Sequence, residues 1–411
     1  MRHASEIVVE GVSKVFGPRP RRALVRMREG ADRETIRHEL GLVVGVQDVS
    51  LRFPAGEVSV IMGLSGSGKS TLLRLLNGLH RPTAGTVMVA GANLATLGRR
   101  ALVSFRRRQF GMVFQRFALL PHRTVRANVE FGLEIQRLPR EQRRVKAMEA
   151  ISLVGLQGWE ERYPDELSGG MQQRVGLARA LAVSPEILLM DEAFSALDPL
   201  IRAELQNELL ALQARMRKTV VFVTHDPDEA LKLGDWIAIM RDGAVVQAGR
   251  PEEIVARPVD DYVAAFVQRV DRTRALTAGA VMRERGGAVR TGDDPAAVLE
   301  RLRRDDLPGV CVVDENDRLC GALGRERLSS LVAGGVRRLD RGMLRAAHAV
   351  PSDTPLAAVL RIAAQGGCPI AVVGPDQCVR GVIFDHSIMA VLAGQPQPPM
   401  GEAVRRADGV A

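Results

Sequence analysis

The chain has 411 residues, of which 46% are hydrophobic and 26% are charged, and its formal net charge is +9. This length and apolar content predict two or three folded domains with at least one large core. No run approaches the roughly 20 apolar residues of a membrane-spanning helix, and the first residues do not lead into an apolar signal-peptide core. We therefore expect a cytoplasmic protein. The positive charge is compatible with nucleic acid, an anionic membrane surface or an arginine-rich composition, so charge alone does not identify a partner.

The first two thirds of the chain have the pattern of an α/β fold. Residues 6–16 predict a strand, the apolar pattern resumes at Val43, and the Arg- and Glu-rich segment between them predicts one or two surface helices. From Gly56 onward, short runs that are apolar at nearly every position alternate with helical stretches, which is typical of parallel strands buried on both faces. We predict an α/β domain over residues 1–268, in which residues 17–42 are an insertion and about 99–182 form a mostly helical subdomain.

The rest of the chain contains an internal duplication. Pro295 matches Pro355 and Gly321 matches Gly381, each at an offset of 60 residues. Both copies read as strand, turn and strand, followed by an apolar helix. We predict two small αβ repeats over residues 279–338 and 339–396, and a disordered tail over residues 397–411.

A glycine-rich loop follows a buried strand and precedes a helix, and it matches the P-loop pattern G-x-x-x-x-G-K-[ST]. Its glycines let backbone N–H groups turn towards phosphate oxygens, and the helix N-terminus adds unsatisfied donors. Lys69 would neutralise the β- and γ-phosphates, and the Ser70 hydroxyl would ligate Mg²⁺. The sequence therefore predicts an ATP-binding loop made of Gly63, Leu64, Ser65, Gly66, Ser67, Gly68, Lys69, Ser70 and Thr71.

Two further strands end in polar residues that suit phosphate chemistry. Asp191 and Glu192 follow an apolar run, at the carboxyl end of a strand, where ligands bind in open α/β sheets. We assign Asp191 to the Mg²⁺ shell and Glu192 to the attacking water. His225 ends another buried strand, and its imidazole can hydrogen-bond a γ-phosphate.

A second candidate anion site lies between the P-loop and these carboxylates. It offers a hydroxyl and flexible backbone donors immediately before a helix. Its residues are Leu167, Ser168, Gly169, Gly170, Met171 and Gln172. A plain P-loop ATPase needs no such element.

These motifs, in this order, resemble the ATP-binding subunits of ABC transporters over about residues 5–265. The resemblance implies a RecA-like core with a helical subdomain, and a homodimer in which Ser168 and Gly170 contact the γ-phosphate bound by the partner protomer. It also implies that Gln115 senses Mg²⁺ and couples to the membrane subunits, that Asp198 is the D-loop aspartate, and that Phe16 stacks on adenine.

The insertion, the phrase VIMGLSGSGKSTLLRLLNGL and the duplicated tail resemble the ATPase of glycine betaine/proline importers, which take up quaternary-amine osmolytes. That family implies integral-membrane permease subunits, a substrate-binding protein as an indirect partner, and a peripheral place on the cytoplasmic face of the membrane. The tail resembles a tandem pair of CBS modules, which serve regulation. Both copies lack the hydroxyl residue of the nucleotide-binding CBS pattern, so a structural tail and a tail responsive to ionic strength or nucleotide remain open.

Two other classes of ABC ATPase are alternatives to a glycine betaine importer subunit. By resemblance, ABC ATPases that act on DNA have a long coiled-coil insertion between the P-loop and the second motif, and those that act on ribosomes carry two ATPase cassettes on one chain. This chain has neither feature, so we expect no nucleic-acid partner. An importer for polar amino acids or another small solute stays open. Docking on an anionic membrane surface would use the basic residues near and within the tail, which are Arg269, Arg272, Arg274, Arg337, Arg338 and Arg341.

Overall fold

The computed structural model describes residues 5–115, 118–268, 273, 276–284, 288–366 and 369–392. The chain divides into two compact units, Met1–Ile254 with Pro258–Val263 and Val255–Arg257 with Ala264–Ala411. No helix in the described ranges is long and apolar enough to cross a membrane. The predicted tail at 397–411 and the side chains of Arg269, Arg272 and Arg274 lie outside the described residues.

A six-stranded sheet forms the centre of the first unit, with the strand order β10-β9-β3-β8-β7-β6. Neighbours from β9 to β6 pair in parallel, and β10 pairs antiparallel with β9. Every residue of β3 and β8 is buried, as the continuous apolar runs predict for strands covered on both faces. The strands are β3 Val58–Met62, β6 Phe110–Phe114, β7 Ile187–Asp191, β8 Thr219–Thr224, β9 Trp236–Arg241 and β10 Ala244–Gly249.

A second, four-stranded antiparallel sheet has the order β2-β1-β4-β5. Its strands are β1 Ile7–Phe16, β2 Val43–Phe53, β4 Ala84–Val89 and β5 Ala92–Asn93. A shared core joins this sheet to the central one, because Phe53, Leu72 and Val221 belong to the same cluster of buried side chains. Leu72 lies in α3, Lys69–Leu76, so the helix that follows the P-loop is packed between residues of both sheets.

The insertion connects two neighbouring strands, since β1 and β2 pair up to Phe16 and Val43. The sequence predicted one or two helices here, and the structure has two, α1 Arg21–Arg28 and α2 Arg33–Leu40. Most of their exposed residues are charged, although Val25 of α1 is also exposed, and each helix buries one apolar side chain. The two buried side chains pack with residues of β1, of β2 and of the segment before β2. Together they form a small separate core, made of Val15, Ala23, Ile36, Leu42 and Val44.

The predicted helical subdomain is interrupted by one strand. The helices of this part are α4 Arg99–Gln109, α5 Val125–Ile135, α6 Arg140–Leu153 and α7 Gly169–Ala182. Strand β6 lies between α4 and α5 and pairs with β7, so the chain returns to the central sheet here. A five-residue apolar run has no period that separates a strand from a helix, which is why the sequence did not reveal β6.

Four further helices are described between β7 and Gln268. They are α8 Pro199–Met216, α9 Pro227–Leu233, α10 Pro251–Ala256 and α11 Asp261–Val267. Proline occupies the first turn of α8 and α9, where its missing N–H costs nothing.

The second unit contains two copies of a β-α-β-β-α arrangement. The first copy consists of β12 Ala288–Arg290, a helix Pro295–Arg304, β13 Gly309–Val313, β14 Leu319–Gly324 and a helix Arg325–Ala333. The second consists of β15 Ala349–Pro351, a helix Leu356–Ala363, β16 Ile370–Val373, β17 Val379–Ile383 and a helix Asp385–Leu392. In each copy the first two strands are parallel and the last two antiparallel.

The two copies exchange short segments. Strand β11, Arg283–Glu284, precedes the first copy but pairs with β17 of the second, and Arg345 precedes the second copy but bridges to Ala322 of the first. The matched glycines lie at these crossings. A Cβ on Gly321 would lie 2.6 Å from the carbonyl oxygen of Arg345, and a Cβ on Gly381 would lie 2.9 Å from that of Arg283. Neither copy completes its strand pairing alone.

We predict that Gly321→Ala destabilises the second unit by about 1–3 kcal/mol, because the added methyl group forces the crossing backbone apart. Chemical unfolding of the full chain measures this. Gly342→Ala is the matched control, since its Cβ would meet no atom closer than 4.0 Å. Equal stabilities of the two variants would contradict the prediction.

Candidate active site

Two glycines of the P-loop are required by close backbone contacts. Gly63 directly follows β3, and a Cβ there would lie 2.2 Å from the carbonyl oxygen of Met240. Gly68 has φ +102° and would place a Cβ 2.3 Å from the carbonyl oxygen of Gly45. Any side chain at either position would displace backbone, so the loop keeps its path only with glycine there.

The loop leads directly into α3, which has no side-chain cap. The first N–H groups of such a helix have no intrahelical partner and attract anions. Lys69 starts the helix with only 5% of its side chain exposed, and its Nζ donates to the carbonyl oxygens of Gly63 at 2.8 Å and Leu64 at 2.9 Å. Burial lowers the pKa of Lys69, while Glu192 and Asp191 act to raise it.

A hydroxyl and a carboxylate meet next to this helix. Ser70 Oγ donates to Asp191 Oδ1 at 3.0 Å, which joins the start of α3 to the end of β7. Burial raises the pKa of Asp191, against the opposing effect of the Ser70 hydrogen bond. Oxygen atoms of these two types are the ligands that Mg²⁺ prefers.

The carboxylate of Glu192 lies at the centre of the candidate site. Its Oε2 accepts a hydrogen bond from Gln115 Nε2 at 3.1 Å, and its Oε1 lies 3.5 Å from His225 Nδ1 and 4.0 Å from Lys69 Nζ. The backbone of Glu192 is left-handed, with φ +46°, and its N–H donates to the carbonyl oxygen of Val223. Such a conformation costs about 1–3 kcal/mol and persists only where its surroundings enforce it.

Sequence reasoning missed Ser195, which hydrogen-bonds the backbone of Glu192, and Glu229, which hydrogen-bonds the residue before His225. Ser195 Oγ accepts from Gln115 Nε2 at 3.2 Å and donates to the carbonyl oxygen of Glu192 at 2.9 Å. Behind His225, the buried carboxylate of Glu229 accepts from Thr224 Oγ1 at 2.5 Å and Gln206 Nε2 at 3.1 Å. Burial raises the pKa of Glu229. The hydroxyl in the turn after Glu192 was a visible signal for Ser195. Glu229 had none, because an acidic residue in the first turn of a helix is common and its partner Gln206 lies 23 residues away on another helix.

Phe16 reaches the P-loop helix despite the insertion that separates them in sequence. A Cβ on Gly45 would lie 2.8 Å from Phe16 Cε2 and 3.0 Å from Thr71 Cγ2, so both side chains flank this glycine. The Phe16 ring also packs edge-on against His80, with 5.4 Å between ring centroids. The pairing of β1 with β2 therefore places an aromatic ring beside the end of the P-loop.

The second motif forms a separate group. Ser168 caps α7 by accepting from Met171 N at 3.4 Å, and Gln172 Nε2 donates to the carbonyl oxygen of Leu167 at 3.2 Å. Ser168 and Gly169 are exposed. Gly170 packs against α8, since its Cβ would lie 2.6 Å from Ile201 Cγ2.

The D-loop candidate belongs to this second group. Asp198 caps α8 by accepting from the backbone N–H groups of Leu200 and Ile201. Within the described chain, no hydrogen bond or ion pair joins Ser168 or Asp198 to the cluster around Glu192. The predicted site residues thus fall into two groups on one chain.

Comparison with known proteins agrees with this geometry. The ABC transporter family matches residues 46–195. The glycine betaine/carnitine transport ATP-binding protein of Listeria monocytogenes is 46% identical over 390 residues, which are 95% of this chain and 98% of the relative. The glycine betaine/proline betaine transport system ATP-binding protein of Escherichia coli is 44% identical over 392 residues, again 95% and 98% of the two chains.

A solved dimeric structure of a bacterial ABC transporter cassette is 33% identical, with a TM-score of 0.51; the match covers 59% of this chain and 98% of the cassette. These similarities confirm the family and the ABC ATPase fold that the motifs predict. The chain belongs to the ABC transporter ATP-binding proteins, in the same family as the glycine betaine transport ATP-binding proteins.

Proposed function

We propose that this protein hydrolyses ATP to energise the import of quaternary amines of the glycine betaine and proline betaine class. One observation carries the catalytic part: Glu192 lies within 4.0 Å of Lys69, Gln115 and His225, beside the Ser70–Asp191 pair. The substrate class is supported by relatives that match nearly the whole length of the chain.

ATP binding uses the P-loop and the start of α3. The uncapped N–H groups of α3 receive the phosphates, and the Lys69 ammonium compensates their negative charge. Phe16 stacks on the adenine, which its position beside Thr71 supports. Mg²⁺ bound with ATP supplies positive charge to the β- and γ-phosphates, and Ser70, Asp191 and Gln115 are the residues that would hold it.

Hydrolysis depends on Glu192. Its carboxylate orients a water molecule whose oxygen attacks the γ-phosphorus, and the bond to the bridging oxygen of ADP breaks, so that ADP and phosphate leave. His225, 3.5 Å from the same carboxylate, hydrogen-bonds the γ-phosphate and maintains the geometry. Gln115 donates hydrogen bonds to Glu192 and Ser195, so a movement of this glutamine would break or shift its contact with the catalytic carboxylate.

The complete site requires two copies of the chain. The motif from Leu167 to Gln172 leads into α7, and among the described residues it has no hydrogen bond or ion pair with the P-loop of its own chain. Its Ser168 and Gly169 are exposed, and Gly170 follows them. In a head-to-tail homodimer this motif contacts the γ-phosphate held by the partner, and Asp198 adjoins the interface. The dimeric arrangement of a similar solved cassette supports this proposal.

The transporter requires further subunits. We infer that the chain is a peripheral protein on the cytoplasmic face of the membrane, and that it binds integral-membrane permease subunits near Gln115. A substrate-binding protein delivers the amine to the permease and determines specificity with it. The assignment rests on the family of this chain, whose relatives are ATP-binding components of transport systems.

The second unit is proposed to be a tandem CBS pair, residues 279–338 and 339–396, that regulates the ATPase. A cleft of about 330 Å³ is lined by Arg290, Arg301, Arg380, Asp293 and Asp317 among others. Ion pairs at its rim, Arg290–Asp317 at 3.2 Å and Arg380–Asp376 at 2.6 Å, involve side chains that are at least half exposed. Exposed pairs weaken as salt screens them, which supports a response to ionic strength.

Replacing Glu192 by Gln should reduce ATP hydrolysis at least about 100-fold, because the amide cannot polarise the attacking water. ATP binding and the ATP-bound dimer should remain. Phosphate release and size-exclusion chromatography with ATP measure the two properties. Glu141→Gln, at an exposed position in the first turn of α6, should behave like the wild type. Near-normal hydrolysis by the Glu192 variant would refute its assignment.

The substrate class is tested by transport. Reassembled with its own permease and binding protein in vesicles, the chain should drive saturable, ATP-dependent uptake of labelled glycine betaine or proline betaine. A labelled polar amino acid should not be taken up. The opposite result would make the protein an amino-acid importer subunit while leaving the ATPase assignment intact.

The regulatory role predicts a dependence on internal salt. ATP hydrolysis by the vesicle-bound transporter should rise as internal salt passes through about 0.15 M, where charges are screened beyond roughly 8 Å. A chain that ends at Gln268 should lose this dependence. If the shortened chain responds to salt as the full chain does, the second unit is not the sensor.

A further inference from the structure

The insertion places a charged side chain at a defined position. Helix α2 is anchored by Ile36, which is fully buried in the small core with Ala23 and Leu42. Asp32 caps the helix by accepting from Thr35 N at 2.7 Å. Residues three apart share a helix face. The first residue of the helix, Arg33, therefore lies on the anchored side, and only 25% of its side chain is exposed.

Arg33 contacts the ATP-binding loop. Its Nη1 donates to the carbonyl oxygen of Gly66 at 3.4 Å and lies 3.7 Å from Asp242 Oδ1. Asp242 belongs to the turn between β9 and β10, whose next residue, Gly243, donates its N–H to the carbonyl oxygen of Ser67 at 2.9 Å. The guanidinium thus joins the insertion to the loop and to the turn that already supports it.

This contact is one of several hydrogen bonds to the loop's carbonyl oxygens. Lys69 Nζ donates to the carbonyl oxygens of Gly63 and Leu64, and the Gly243 N–H donates to that of Ser67. Gly66 has φ +81°, and a Cβ there would meet no atom within 4 Å, so packing does not determine the orientation of its peptide. The hydrogen bond from Arg33 supplies that orientation.

We propose that Arg33 is a positioning residue of the ATP site. By holding the Gly66 carbonyl oxygen, it keeps the oxygen directed away from the phosphates, so that the neighbouring N–H groups remain available to them. The insertion then forms part of the nucleotide site and is not only a surface addition. This inference rests on the proposed role of Gly63 to Thr71 as the ATP-binding loop.

The test compares full-length Arg33→Gln, Arg33→Lys, Arg37→Gln and Lys69→Ala with the wild type. Arg37 lies on the same helix, is exposed, and has no side-chain hydrogen bond or ion pair among the described residues. Equilibrium binding of ATP and ADP with Mg²⁺, the KM and kcat of hydrolysis, and thermal unfolding are measured for each protein.

For Arg33→Gln we expect about fivefold weaker binding of both ATP and ADP, as for the loss of a partly exposed hydrogen bond from a charged group. KM should rise by the same factor, with kcat within about twofold of the wild type, since the change precedes the chemical step. Arg33→Lys keeps a charged donor and should recover most of the affinity. Arg37→Gln should match the wild type, and the unfolding temperatures should agree.

Unchanged affinity in Arg33→Gln would overturn the proposal, as would a lysine variant no better than the glutamine variant. A loss for ATP but not for ADP would also overturn it, because Arg33 would then act on the γ-phosphate or on the second copy. Lys69→Ala separates this inference from the proposed function. If that variant binds ATP as tightly as the wild type, the ATP-site assignment itself is wrong.

Discussion

The parallel register of four neighbouring strands brings together the cluster around Glu192. Met62 pairs with Thr224, Val223 with Asp191, and Asp191 with Phe114. All four strands therefore end at one edge of the sheet. The residues that follow them are Gly63, Gln115, Glu192 and His225. A slip of one residue in any strand would turn its terminal side chain to the other face.

The charges at this edge stabilise one another. A buried ammonium group is unfavourable unless hydrogen bonds and opposite charges compensate its lost hydration. Lys69 has two backbone carbonyl oxygens below 3 Å and the Glu192 carboxylate at 4.0 Å. The same carboxylate accepts a hydrogen bond from Gln115, so a neutral side chain that follows β6 is joined to the charged cluster. This arrangement suits a site where phosphate charge arrives and leaves.

The insertion at residues 17–42 and the second unit are held in place by different kinds of contact. The insertion forms a small core with Val15 and Val44 of the adjoining strands, which makes the position of α2 a property of the folded sheet. The second unit depends instead on exchange between its two copies, where Gly321 and Gly381 allow backbone segments to cross. Its two repeats are therefore one folding unit, although the sequence presents them as two.

The sequence by itself determined the motif from Gly63 to Thr71, the buried strands β3, β7 and β8, and the duplicated tail, because each depends on residue types at short, regular spacing. Only the tertiary structure decided where β6 and Phe16 lie and which distant side chains meet. Strand β6 is set by pairing with β7, and Phe16 reaches Thr71 through the pairing of β1 with β2. Ser195, Glu229 and Arg33 meet hydrogen-bond partners from other elements of the fold. Such contacts follow from strand register and core packing, which local sequence patterns do not encode.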